Sequence, residues 1–307
     1  MRIKPNLKLA IILGATISAA SNAATVYGLN SLSQIVRFDT ETPLTGSPTI
    51  VATGFWYQSA IAFGPDGLLY GIDPSSNVYS VDVVSGQKRF VVSGFWSQGD
   101  IVFGSDGNLY GLSQSNVLQR YNMTTGEVAP ISTGFWAFGD IRFGPDGWIY
   151  GLSASQTIIR TNPAAPMSGI ETVGTGFNAD GAFTFSPAGE IYGIDPSKNI
   201  YKLNPASGEK SFVSFGNWGS GDLQFGPDSQ LYGLSNSNYL QRLDLATGAV
   251  SPVSLGFWAE GDILFAPTAP IPEPSQWFMF SLGLLLIVSS RFAAFCKGRQ
   301  RHSQNDD

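Results

Sequence analysis

The chain has 307 residues, with 17 Lys and Arg against 23 Asp and Glu, for a formal net charge of −6. From Thr25 to Pro270 the imbalance sharpens to ten basic against twenty acidic residues, which excludes nucleic acid as a partner of this region. The single Cys296 and the single His302 both lie near the C-terminus, so the region has no disulfide, no His-dependent catalytic triad and no His metal site.

Residues 1–23 place Arg2, Lys4 and Lys8 before the apolar run Leu9-Ala10-Ile11-Ile12-Leu13 and end on Ser21-Asn22-Ala23. That three-part order predicts a secretory signal peptide cleaved after Ala23. Residues 24–267 are then dominated by a repeat. A Tyr-Gly pair stands at Tyr27, Tyr70, Tyr110, Tyr150, Tyr192 and Tyr232, in steps of 43, 40, 40, 42 and 40 residues. A step near forty suits a propeller blade of four short strands.

One unit shows how the strands fall. Asp100 to Phe103 alternates as an inner strand, Gly104-Ser105-Asp106-Gly107 turns the chain, and Asn108 to Leu112 is the second strand. Val117 to Tyr121 is the third strand and Glu127 to Ser132 the outer one. The Gly-Pro-Asp-Gly turns at Gly64 and Gly144 need no ligand to explain them: Pro fixes φ, Asp bonds its own backbone and Gly takes positive φ. The first unit lacks an inner strand, whereas Gly261 to Phe265 is an inner strand with no unit after it. Joining the two gives six blades and hides the strand edges. Matches 122 residues apart, such as Gly71-Ile72-Asp73-Pro74-Ser75 with Gly193-Ile194-Asp195-Pro196-Ser197, indicate three blades duplicated.

Residues 268–276 form a Pro-rich linker containing Pro272-Glu273-Pro274, and residues 277–296 are apolar or small apart from Arg291. That run reaches about the ~20 residues a transmembrane helix needs, and the basic residues of the 297–307 tail are expected to stay cytoplasmic. Motif, span and basic tail together resemble the PEP-CTERM sorting signal. The resemblance implies an exosortase-type sorting enzyme as partner, a location in the periplasm, at the cell surface or outside after sorting, or anchoring in the membrane by the helix. It also implies an association with exopolysaccharide. The blades, with Phe-Gly-Pro-Asp-Gly-x-Leu-Tyr-Gly and the Arg242-to-Gly248 segment, are similar to six-bladed TolB-like, NHL-like and gluconolactonase-like propellers. In lactonase members of that group a divalent metal sits in the central channel among acidic and amide side chains.

The Gly-Phe-Trp loops are the candidate site. Trp56, Trp96, Trp136, Trp218 and Trp258 take equivalent loop places, with Asp100, Asp140, Asp222 and Asp262 four residues after their respective tryptophans and Ala60 and Ala182 in the remaining blades. The loops should share a face with those joining second and third strands, such as Ser113 to Asn116. Two readings compete. In one, the aromatics wedge between blades and the aspartates bond loop backbone. In the other, rings stack on pyranose faces while carboxylates accept hydroxyl hydrogen bonds, making a multivalent polysaccharide face. The expected protein is a non-enzymatic interaction or structural propeller with no catalytic residue, no metal and no cofactor. The alternative is a lactonase- or hydrolase-like enzyme using carboxylates or a divalent metal in the channel.

Overall fold

The computed structural model describes residues 24–40, 47–215 and 217–267; the expected signal peptide, Pro-Glu-Pro motif, membrane helix and basic tail lie outside these residues. The described residues form six antiparallel four-stranded sheets, an all-β six-bladed propeller whose blades II to VI begin with the inner strands Ile61–Phe63, Ile101–Phe103, Ile141–Phe143, Phe183–Phe185 and Trp218–Phe225. In blade III the strands run Ile101–Phe103, Leu109–Leu112, Val117–Tyr121 and Val128–Thr133 from the inside outward, differing from the sequence reading only at their end residues. Blade I closes the ring with both ends of the body. Its innermost strand Ile263–Phe265 pairs with Thr25–Leu29, placing Leu264 opposite Tyr27, and Gln34–Asp39 and Thr49–Thr53 complete the sheet.

The core is divided into six layers, one between each pair of neighbouring blades, and each layer contains one buried aromatic wedge. Phe55 sits between blades I and II with Leu29, Ile35, Ile61 and Leu69, and Phe95 repeats this between blades II and III. Phe135, Phe177, Trp218 and Phe257 fill the remaining four layers. The wedge explains the repeated Tyr-Gly pair. A Cβ on Gly28, Gly71, Gly111, Gly151 or Gly193 would fall 2.5–2.8 Å from the ring of Phe257, Phe55, Phe95, Phe135 or Phe177. The Phe of the loop and the Gly of the second strand are thus two halves of one contact, in which burial of each ring contributes about 1.5–3 kcal/mol.

The Tyr of the same pair bridges outward. Each packs edge-on to the inner-strand Phe of the next blade, as Tyr70 does on Phe103 and Tyr110 on Phe143, with centroids 4.7–5.4 Å apart around the ring. The hydroxyls of Tyr70, Tyr110, Tyr150 and Tyr232 donate to Asp66, Asp106, Asp146 and Asp228 in the first turns. Those aspartates also accept from backbone N–H groups two residues on, the turn chemistry the sequence calls for. Burial and the Asp partner push the Tyr110 and Tyr232 hydroxyls up to about 12.

Candidate ligand site at the channel mouth

The inner strands line a central channel, and the segments leading into them converge at its mouth. Each Gly-Phe-Trp loop is held by the same two bonds: Trp96 N–H donates to Leu112 O, and Gly99 N–H to Trp96 O, with counterparts at Trp56, Trp136, Asn178 and Trp258. The second-to-third-strand loops join them as expected, since Asn116 Oδ1 accepts from Ala137 N–H at 2.8 Å.

Two rings of side chains follow from this register. The lower ring holds Ala60, Asp100, Asp140, Ala182, Asp222 and Asp262; the upper, two residues earlier in each segment, holds Gln58, Gln98, Phe138, Asp180, Ser220 and Glu260. Together they enclose a cavity of about 410 Å³ lined from all six blades, within the size range of small-molecule sites.

The lower aspartates stitch neighbouring blades together. Asp262 accepts the Ile61 amide at 2.6 Å, Asp100 that of Ile141 at 2.8 Å and Asp140 that of Phe183 at 3.1 Å, each at the head of the next blade's inner strand. Where the preceding blade offers Ala60 or Ala182, the Ile101 and Leu223 amides turn instead to their own Asp100 and Asp222. The carboxylates therefore serve strand backbone rather than the loop backbone expected.

Arg142 breaks the symmetry of the ring. It stands on the inner strand of blade IV, in the column occupied elsewhere by Ala62, Val102, Thr184, Gln224 and Leu264. Its guanidinium lies 3.0 Å from Asp100, 2.9 Å from Asp140 and 2.5 Å from Asp222. Burial alone would disfavour the charged guanidinium, but Asp140, Asp222, Asp100 and Asp262 outweigh it and hold the pKa well above the ordinary arginine value. The same burial pushes Asp140 and Asp262 well above the usual carboxylate range; Asp100 adds to the rise at Asp140, Asp222 adds to it at Asp262, and Arg142 opposes both.

The upper ring is divided. Over blades III, II and I, Gln98 donates to Gln58 at 2.9 Å and Gln58 to Glu260 at 2.5 Å, a chain that ends on a carboxylate. Across the axis from Glu260, blade IV presents Phe138, its ring 5.3 Å from that of Trp136 and 5.9 Å from that of Trp96. Trp136 Nε1–H donates to Asp180 at 2.7 Å. Lys198 closes the sector between Asp180 and Glu260 by bonding Ser220. It occupies a left-handed position, φ 64°, shared with Ser33, Ser76, Asn116, Gln156 and Asn238 in the other blades. Burial draws its pKa below the usual lysine value against the pull of Glu260 and Asp180.

Of the five tryptophans, Trp136 alone lines the cavity. The indole N–H groups of Trp56, Trp96 and Trp258 are buried without a hydrogen-bond partner. The expected equivalence fails at Trp218. Asn217 replaces Phe in that blade, the segment straightens into the strand Trp218–Phe225, and the fully buried indole packs on Gly233 in the wedge position held by Phe elsewhere. No motif marks Arg142, Phe138, Lys198, Gln98 or Gln58 as site residues, and Glu260 and Asp180 stand out in the sequence only as unusual acids near the loops. Their signal lies in the columns of the repeat where the residue changes from blade to blade.

No protein-family model and no curated protein matches the chain. Solved structures do. TolB from Acinetobacter baumannii superposes with a TM-score of 0.62 at 16% identity, over 80% of this chain and 67% of that one. A gluconolactonase from Xanthomonas campestris gives 0.56 at 13%, over 68% and 80%. Virginiamycin B lyase from Staphylococcus aureus gives 0.52 at 11%, over 78% and 87%. At such identities the likeness is one of fold, and the neighbours include enzymes beside TolB. The divalent metal implied for lactonase-like propellers does not fit here: Arg142 occupies the centre of the aspartate ring, and among the described residues no group of three or more His, Cys, Asp and Glu is arranged to hold a metal ion.

Proposed function

We propose that this protein is an exported, envelope-sorted propeller that binds and does not catalyse, and that it holds a segment of extracellular polysaccharide at the mouth of its channel. The signal-like residues 1–23 and the Pro272-Glu273-Pro274 tail support the address, with an exosortase-type enzyme as sorting partner. The divided mouth carries the ligand reading: Trp136 and Phe138 on one side suit the apolar face of a pyranose, and the Gln98–Gln58–Glu260 chain across the axis suits its hydroxyls. The reading favours one site on the axis over five around the face, because four of the tryptophans do not line the cavity.

The test is glycan-array binding by the purified protein, followed by calorimetry on Trp136→Ala and Trp96→Ala with melting curves of both. Binding that is lost with Trp136 while melting is kept supports the reading. An array without a hit, or a Trp136→Ala variant that binds as before, removes it. For sorting, alanines at Pro272, Glu273 and Pro274 should change the mass or cell fraction of the mature protein in a host with exosortase; identical mass and fraction would remove that part.

A further inference from the structure

We infer that the sugar held at the channel mouth carries a free amine, so that the cavity selects an amino sugar over its N-acetylated or neutral counterpart. The inference rests on the polysaccharide reading and adds the ligand's charge.

The lining contains six carboxyl groups, those of Asp100, Asp140, Asp180, Asp222, Glu260 and Asp262, and one base, Arg142. Arg142 is committed to Asp100, Asp140 and Asp222. Lys198 stands at the rim beside Asp180 and Glu260 and adds a second positive charge. Even with Asp140 and Asp262 protonated, four carboxylates face two bases, so a uronate or phosphate would be repelled and a cation drawn in.

The hydrogen bonds of the mouth also leave acceptor capacity on its rim carboxylates. Gln98 and Gln58 each commit one of two Nε2–H donors within their own chain, the Trp136 N–H is committed to Asp180, and the Ser220 hydroxyl accepts from Lys198. Glu260 and Asp180 at the rim accept one side-chain bond each, from Gln58 and Trp136, and keep lone pairs for a ligand. An ammonium brings three donors and a positive charge to these carboxylates, whereas an acetamido group brings one N–H and no charge. The segment of blade I places Glu260 and Asp262 two residues apart on the cavity wall to receive the amine, and across the axis the rings of Trp136 and Phe138 can receive the apolar face of the sugar.

The experiment compares glucosamine, N-acetylglucosamine and glucose oligosaccharides of equal length and linkage by calorimetry on the full protein, with spermidine as a cation lacking the sugar. One charge-assisted contact predicts that the glucosamine oligomer binds about 10- to 100-fold more tightly than the other two. Glu260→Gln should bring it to their level. Equal affinity for all three sugars would overturn the amine while leaving the polysaccharide reading in place. Spermidine binding as tightly as the glucosamine oligomer would also overturn the inference, by showing a bare cation trap. Absence of binding by every sugar would overturn both readings.

Discussion

The guanidinium of Arg142 in blade IV bonds the carboxylate of Asp222 in blade VI at 2.5 Å, tying together residues 80 positions apart in the chain. With Asp100 and Asp140 on its other nitrogen, Arg142 is the counter-ion that lets four aspartates share the inside of one channel. Removing one partner of a buried ion pair costs about 3–5 kcal/mol, and Arg142→Ala is expected to lose that much in chemical denaturation. The same variant leaves a ring of carboxylates without a cation. Calcium should then restore stability to Arg142→Ala by about 2.7 kcal/mol at a hundredfold excess over its Kd, and have no such effect on the wild type. A variant as stable as the wild type would show that the aspartates do not need the arginine.

The ring also sets a pH dependence. Asp140 and Asp262 titrate above the carboxylate range in the folded protein, so the unfolded chain loses its protons first. Their contribution is fully present below the unfolded value of about 3.9 and is lost as the pH rises through the folded values. Asp106, Asp82 and Asp244 are shifted downward, and what they contribute is lost only as the pH falls through their folded values. Melting temperature should therefore fall at very low pH and fall again as the pH rises through the folded values of Asp140 and Asp262. Asp140→Asn, which mimics the protonated acid, should flatten the limb that falls with rising pH. An unchanged limb would mean that another group titrates there.

The wedge can be tested as a pair. Phe95→Ala should cost about 3–5 kcal/mol as a large-to-small change in a closed layer. Gly111→Ala should also destabilise, because its Cβ would lie 2.5 Å from the Phe95 ring. In the double variant the new methyl points into the space the ring has left, so the double variant should lose less than the sum of the two single losses. Strict additivity would show that the two residues do not form one contact.

Closure is tested by truncation. Deleting residues 261–270 removes the strand that pairs with Thr25–Leu29 and exposes edges on blade I. The truncated protein should melt without cooperativity or aggregate on purification. A cooperative transition at the wild-type temperature would mean that the ring holds without this strand.

What the sequence made legible follows the same division between repetition and exception. Tyr-Gly, Gly-Phe and Gly-Pro-Asp-Gly recur because every blade must solve the same packing and turn problem, and they placed the strands and the split blade. Phe95 and Trp96 stand next to each other in that repeat, and nothing local says that the Phe enters the layer while the Trp stays at the loop. Only the facing Gly111 decides it, from another strand. Trp218 departs from the expected equivalence for a related reason: its spacing from Asp222 matches that of Trp96, Trp136 and Trp258 from their aspartates, but with Asn217 beside it no Phe is available to fill the layer. Arg142 carries no local mark, because a single basic residue two positions after Asp140 has meaning only when Asp100, Asp222 and Asp262 from other blades close around it as well.

The pairing of Tyr27 with Leu264 also has a bearing on time. The innermost strand of the first blade is the last strand of the body to be synthesised, so five blades can assemble in order while the first lacks its inner edge. Long-range pairing of this kind is slow because the loop must close before any contact rewards it. Ring closure is therefore expected to be the late, rate-limiting step of folding, and the chain exposes an unpaired strand until Phe265 arrives.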